Sequence, residues 1–159
     1  MEIRRKYPVG IQTFSEIINC GYVYVDKTDL VWQLAHYAKF VFLSRPRRFG
    51  KSLLSSTLAS YFRGERVLFE GLKIMEMETE WTKYPVLHFD LSGAKHLPAD
   101  MVKMELGRLI RPYEEIYGRE PEETSPGMRL AGLIERTYKQ TGCPMPSMSS
   151  SSRWATPPD

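Results

Sequence analysis

The sequence is poor in several features that would narrow its class at once. It has two cysteines in 159 residues, Cys20 and Cys143. They lie far apart without CxxC or CxxH spacing, which argues against a disulfide framework or a zinc centre and fits a reducing cytoplasm. No apolar run approaches the ~18 residues of a membrane span. The opening MEIRRKYPVG carries charge with no apolar segment behind it, so the chain reads as neither secreted nor inserted. Charge of one sign is also lacking: 22 Lys and Arg face 19 Asp and Glu, a net +3. Basic residues gather only at Arg4, Arg5 and Lys6 and at Arg45, Arg47, Arg48 and Lys51, so global charge says little about partners. There is no internal repeat. The remainder, 42% hydrophobic and 26% charged, is ordinary for one globular domain.

Local signals then order the chain. Thr13 to Glu16 has capping-box spacing and Gly21 could end the short helix it starts. Tyr22 to Val25 is β-prone and stops at Asp26, a plausible cap for a helix through Leu30, Val31 and Leu34. Phe40 to Leu43 is an uninterrupted apolar run of the kind found in a parallel strand covered on both faces. Beyond Lys51, the residues Leu54, Leu58, Tyr61 and Phe62 share one helical face, and Gly64 follows as a stop. Glu65 to Lys83 predicts short turns. Pro85 opens a second buried strand, Val86 to Asp90, so a βαβ unit with right-handed crossover is expected. A long helix follows from Pro98 through Tyr117, kinked at Pro112. Ser125 and Pro126 start another, with an apolar face of Leu130, Leu133, Ile134 and Tyr138, ended by Gly142. From Cys143 onward Ser and Pro dominate, which predicts disorder.

Between the first strand and its helix lies SRPRRFGKSLL, Ser44 to Leu54. Its end, Gly50-Lys51-Ser52, has the late residues of a GxxxxGK[ST] phosphate loop. In such a loop backbone N–H groups curve round a phosphate at a helix N-terminus, the lysine reaches the β- and γ-phosphates, and the hydroxyl holds Mg2+. Arg45 occupies the first glycine position and Pro46 stiffens the entrance. Arg47 and Arg48 are either extra phosphate donors or solvated turn charges. A nucleic-acid patch made by Arg45, Arg47 and Arg48 is a third reading, without aromatic-basic interleaving elsewhere to support it.

Four ordered segments carry a closer likeness: Pro8 to Phe14 (PVGIQTF), Tyr24 to Thr28 (YVDKT), Phe42 to Ser52 (FLSRPRRFGKS) and Tyr84 to Asp90 (YPVLHFD). Together they resemble the N-terminal domain of the AAA-ATPase-like family of bacterial P-loop proteins, which often carry a C-terminal PD-(D/E)xK nuclease-like domain. The likeness runs over residues 7 to 142. It implies that Arg45 is a family feature of the loop, that ATP and Mg2+ are the ligands, and that Arg47, Arg48, Phe49, Gly50, Lys51, Ser52 and Leu53 hold the nucleotide. It also implies that Tyr24, Asp26 and Lys27 pack before the first strand, near that site, although Asp26 also reads as a helix cap.

One element is missing from the pattern. A P-loop hydrolase needs an acid at the end of another strand to organise Mg2+. Asp90 alone ends a hydrophobic strand here, which makes it a candidate metal residue, but Leu91 and Ser92 follow it rather than a second acid. In the resembling family the Asp-Glu strand comes after a helix like 127 to 141, where this chain turns to Ser/Pro sequence. The expectation is therefore a P-loop NTPase-like three-layer α/β fold with a parallel sheet, incomplete at its C-terminus. It divides into a lead-in (1–21), a partial P-loop domain (22–142) and a disordered tail (143–159) that reads as truncated or out of frame. The expected function is ATP binding with an incomplete hydrolytic site; the alternatives are a non-catalytic interaction module or a nucleic-acid-binding domain.

Overall fold

A computed structural model describes residues 5–37, 40–44, 46, 48–94, 96–142, 147–149 and 153–155. Helices dominate. In chain order the elements are α1 (Phe14–Asn19), α2 (Thr28–Tyr37), β1 (Phe40–Phe42), α3 (Lys51–Phe62), β2 (Leu87–Phe89), α4 (Ala99–Tyr117), α5 (Pro126–Thr141), β3 (Ser147–Ser149) and β4 (Arg153–Ala155). Two 3-10 turns, Arg66–Phe69 and Lys73–Glu76, fill the connection after α3, and a third, Ser92–Ala94, follows β2.

The expected three-layer fold with a parallel sheet is not what forms. The two predicted strands are three residues each, and they do not pair with one another. β1 pairs antiparallel with β4, β4 antiparallel with β3, and β3 parallel with β2, giving the order β1-β4-β3-β2. The βαβ unit is therefore absent: a hairpin from the tail stands between its two strands. Phe42 is 71% exposed, so β1 lacks the cover on both faces that its apolar run predicted. Within the segment read as disordered, residues 147–149 and 153–155 are strands; the rest of 143–159 lies outside the described residues.

The first apolar core joins α1, α2 and α3 to the two 3-10 turns. Phe14, Phe69 and Ile74 are fully buried in it, with Leu58, Phe62 and Val31 beside them. It is rich in aromatic contacts: Phe14 and Phe69 rings are 4.8 Å apart, and Phe69 and Trp81 5.1 Å. The Tyr61 hydroxyl donates to the Glu78 carboxylate, and burial together with that carboxylate pushes the phenol well up. The predicted face of α3 is largely correct, since Leu58, Tyr61 and Phe62 are all buried. The capping box at Thr13 does not form. Instead the Phe14 N–H donates to the Ser56 hydroxyl of α3 at 2.9 Å, a tertiary contact replacing a local one.

The second core packs β2 against the α4–α5 pair through Leu87, Phe89, Ile110 and Leu133. Tyr113 of α4 pins β2, accepting from the His88 N–H at 2.9 Å and donating to its carbonyl at 3.1 Å. α5 starts as predicted, with Ser125 accepting from the Met128 N–H at 3.2 Å and Pro126 in the first turn. Its buried face differs from the prediction. Leu133 and Thr137 are buried while Ile134 and Tyr138 are exposed. The cause is Arg129 and Arg136, which turn inward to Glu114 and Glu123.

Candidate functional site

The loop after β1 delivers the chain to α3 in a constrained way. Arg48 has φ +66, the described non-glycine residue with positive φ, a conformation that costs on the order of 1–2 kcal/mol for an L-residue. Gly50 caps α3 with φ +73 and ψ +21, where a side chain would add the same penalty. A Cβ at Gly50 would meet nothing within 4 Å, so the space above this helix end is open. Leu54 N–H donates to the Gly50 carbonyl at 2.9 Å, the first helical bond. No side chain caps α3 and no acid lies in its first turn. This helix end therefore carries the positive pole of the dipole without a side-chain cap on it.

This end borders a cavity of about 660 Å³. Its walls come from Tyr24, Val25 and Lys27 before α2, from Leu30 and Leu34 on α2, and from Phe49, Gly50 and Leu53 at the loop. Most of that lining is apolar. Tyr24 is seated edge-on against Phe14, ring centres 5.3 Å apart, and burial raises its phenol above the usual range. Phe49 is 63% exposed at the rim.

The stretch before α2 is held by Asp26. One of its oxygens accepts from the N–H and hydroxyl of Thr28, at 2.9 and 2.7 Å; the other accepts from the Lys73 N–H at 2.8 Å. Burial opposes ionisation, but these hydrogen bonds outweigh it and hold the carboxyl below its ordinary value. Thr28, itself fully buried, accepts from the Ile74 N–H at 3.1 Å. Asp26 therefore acts as a helix cap and as a clasp to the 3-10 turn Lys73–Glu76.

Of the residues singled out in the sequence, Tyr24, Lys27, Phe49, Gly50 and Leu53 come together on the cavity. Lys51 is half-buried and Ser52 exposed in the first turn of α3. Arg48 is exposed. Arg45 and Arg47 lie outside the described residues. Asp90 stands exposed just after β2, and its charge works against the burial and Arg63 that lower His88. His88 Nε2 is 3.3 Å from the Ser55 hydroxyl, so β2 meets α3 one turn beyond Ser52. Among the described residues no group of three or more His, Cys, Asp or Glu side chains is gathered as a metal cage. No described helix is long and apolar enough to cross a membrane. Sequence reasoning missed the cavity wall on α2, because Leu30 and Leu34 carry the same helical spacing as core residues.

Similarity to known proteins agrees with the family likeness carried by the four ordered segments. The chain is 36% identical over 141 residues to a protein of Azotobacter chroococcum mcd 1 described as "Uncharacterized protein in vnfD 5'region". That alignment takes in 87% of this chain but 27% of the relative, so the chain spans about a quarter of the relative's length. No solved structure matches. The family described as "Predicted AAA-ATPase" matches residues 8–145. With nearly the whole described chain inside that match, the protein belongs to the AAA-ATPase-like family.

Proposed function

We propose that the loop and the cavity together bind a nucleoside triphosphate, ATP by the family's designation, with Mg2+. The observation that carries the reading is the opening of an uncapped helix end, led by a left-handed glycine, onto an apolar cavity of about 660 Å³. The phosphates lie at the first turn of α3, where the N–H groups of Gly50 to Leu53 and the helix dipole favour an anion. The Lys51 ammonium contacts the β- and γ-phosphates, and Arg47 and Arg48 are auxiliary donors. The base enters the apolar cavity, against Tyr24 and Phe49.

The exposed Ser52 hydroxyl would hold Mg2+, with Asp90 as a second oxygen donor. When bound, the ion offsets charge shared between the β- and γ-phosphates. The residues support binding and orientation. Calorimetric titration with Mg·ATP tests the reading. Lys51→Ala removes a charge-assisted contact and is expected to weaken binding by about 10- to 100-fold. Affinity unchanged by that substitution would sink it.

A further inference from the structure

Lys27 stands where the fold gives it no work. Its carbonyl accepts from the N–H groups of Leu30 and Val31, at 3.1 and 3.3 Å, so its side chain sits at the positive end of α2, the wrong end for a cation. The neighbouring acids are already engaged. Asp26 takes three hydrogen bonds from Thr28 and Lys73, and the cation acting on it is Lys73. Asp29 faces Lys73 at 3.9 Å. Among the described residues Lys27 is not a member of any of the ion pairs. Its backbone, in contrast, is fixed on both sides, by the Asp26 clasp and by the buried Thr28. Lys27, exposed and with its backbone fixed, thus lines the same cavity as Phe49 and Gly50.

We propose that Lys27 is a second phosphate-contacting cation of the nucleotide site, acting from the turn before α2 across the cavity towards the polyphosphate at α3. The inference rests on the nucleotide reading above and extends it to a residue outside the loop. A nucleoside triphosphate carries about four negative charges near neutral pH, so a cation on the cavity wall outside the loop adds to the attraction supplied by Mg2+, Lys51 and the loop arginines. An anion in the cavity also relieves the unfavourable placement of Lys27 at a helix N-terminus.

The test is titration of the full chain with Mg·ATP, for the unaltered protein and for Lys27→Met, Lys27→Arg and Lys51→Ala, at low and moderate salt. Lys27→Met keeps the aliphatic stem and removes only the charge. It is expected to weaken Mg·ATP binding about tenfold and to make the affinity less sensitive to salt. Lys27→Arg should stay close to the unaltered protein. Unaltered affinity and salt response in Lys27→Met would overturn the inference, as would an equal loss in Lys27→Arg. If Lys51→Ala loses binding while Lys27→Met does not, this inference alone fails. Should the unaltered chain not bind Mg·ATP, or Lys51→Ala bind it equally well, the nucleotide reading itself fails.

Discussion

The helices α3 and α5 begin in opposite ways. α5 is finished by its own residues: Ser125 accepts from the Met128 N–H, and Pro126 occupies a first-turn position that needs no donor. α3 begins at a left-handed glycine, without a side-chain cap or a first-turn acid. The surroundings repeat the contrast. The half that carries α5 is closed by charge pairs, with Arg129 doubly bonded to Glu114 at 2.7 and 2.6 Å and Arg136 bonded to Glu123. The half that carries α3 surrounds an open apolar cavity and leaves Lys27 facing it. One half closes its polar groups on one another; on the nucleotide reading proposed above, the other also keeps Lys27 and the start of α3 for a ligand. On that reading stability belongs to the α4–α5 pair and recognition to the loop.

The largest effect expected from breaking this division comes from Arg129. Its guanidinium bridges Glu114 and the Gly107 carbonyl at 3.1 Å, joining two helices at a site where both partners are mostly buried. Arg129→Met leaves the Glu114 carboxylate without its main partner and is expected to cost about 3 kcal/mol of stability. Denaturant unfolding measures it. Below the transition, the affinity for Mg·ATP should be unchanged. A loss of affinity in the folded variant would show that the two halves are not separable in this way.

A smaller and more pointed effect comes from treating the two helix starts alike. Ser125→Ala removes a cap and should lower stability by about 1 kcal/mol with nucleotide affinity intact. Gly50→Ala should lower stability by about 1 kcal/mol through strain at positive φ. It should also weaken Mg·ATP binding, because the added methyl projects into the space the phosphates would take. Chemical denaturation and calorimetry on the two variants separate the cases. Equal ligand affinity in both would remove the functional difference between the two helix ends.

Local chemistry made much of this legible. Ser125-Pro126 and Gly142 bracket α5, Asp26 caps α2, and Leu58, Tyr61 and Phe62 mark the buried face of α3, because each depends on neighbours within a turn or two. The ordered motifs reached the family as well. What failed is non-local. The parallel sheet was inferred from two apolar runs, but three-residue strands gain little until a partner arrives, and here the partner is a distant hairpin. On α5, apolar periodicity pointed at Ile134 and Tyr138, whereas the inward stripe is Arg129, Leu133, Arg136 and Thr137, spaced i, i+4, i+7 and i+8. Two arginines on a buried face are invisible to a hydrophobic count. Thr13 lost its capping role to Ser56, forty-odd positions away. The cavity, finally, was legible on one side: Tyr24, Lys27, Phe49, Gly50 and Leu53 stand out in the sequence, whereas Leu30 and Leu34 on α2 look like ordinary core.

The smallest expected effect is the order in which the halves respond to acid. Hydrogen bonds from Arg129 hold the Glu114 carboxyl below its ordinary 4.5, and those from Arg136 do the same for Glu123. In the loop half, Asp26 is lowered from 3.8. A carboxyl lowered on folding contributes stability that is complete above its unfolded value and is lost as pH falls through its folded value. Two glutamates serve the α4–α5 pair, against one aspartate at the start of α2. The α4–α5 pair should therefore begin to weaken as pH falls below about 4.5, ahead of α2 and α3. Amide exchange over residues 99–141 and 51–62, followed as pH is lowered, distinguishes the outcomes. Protection lost first in 99–141 supports two halves stabilised by different means. Simultaneous loss would mean that the charge pairs and the aromatic core belong to one cooperative unit, so that the open site is supported by the α4–α5 pair it was contrasted with.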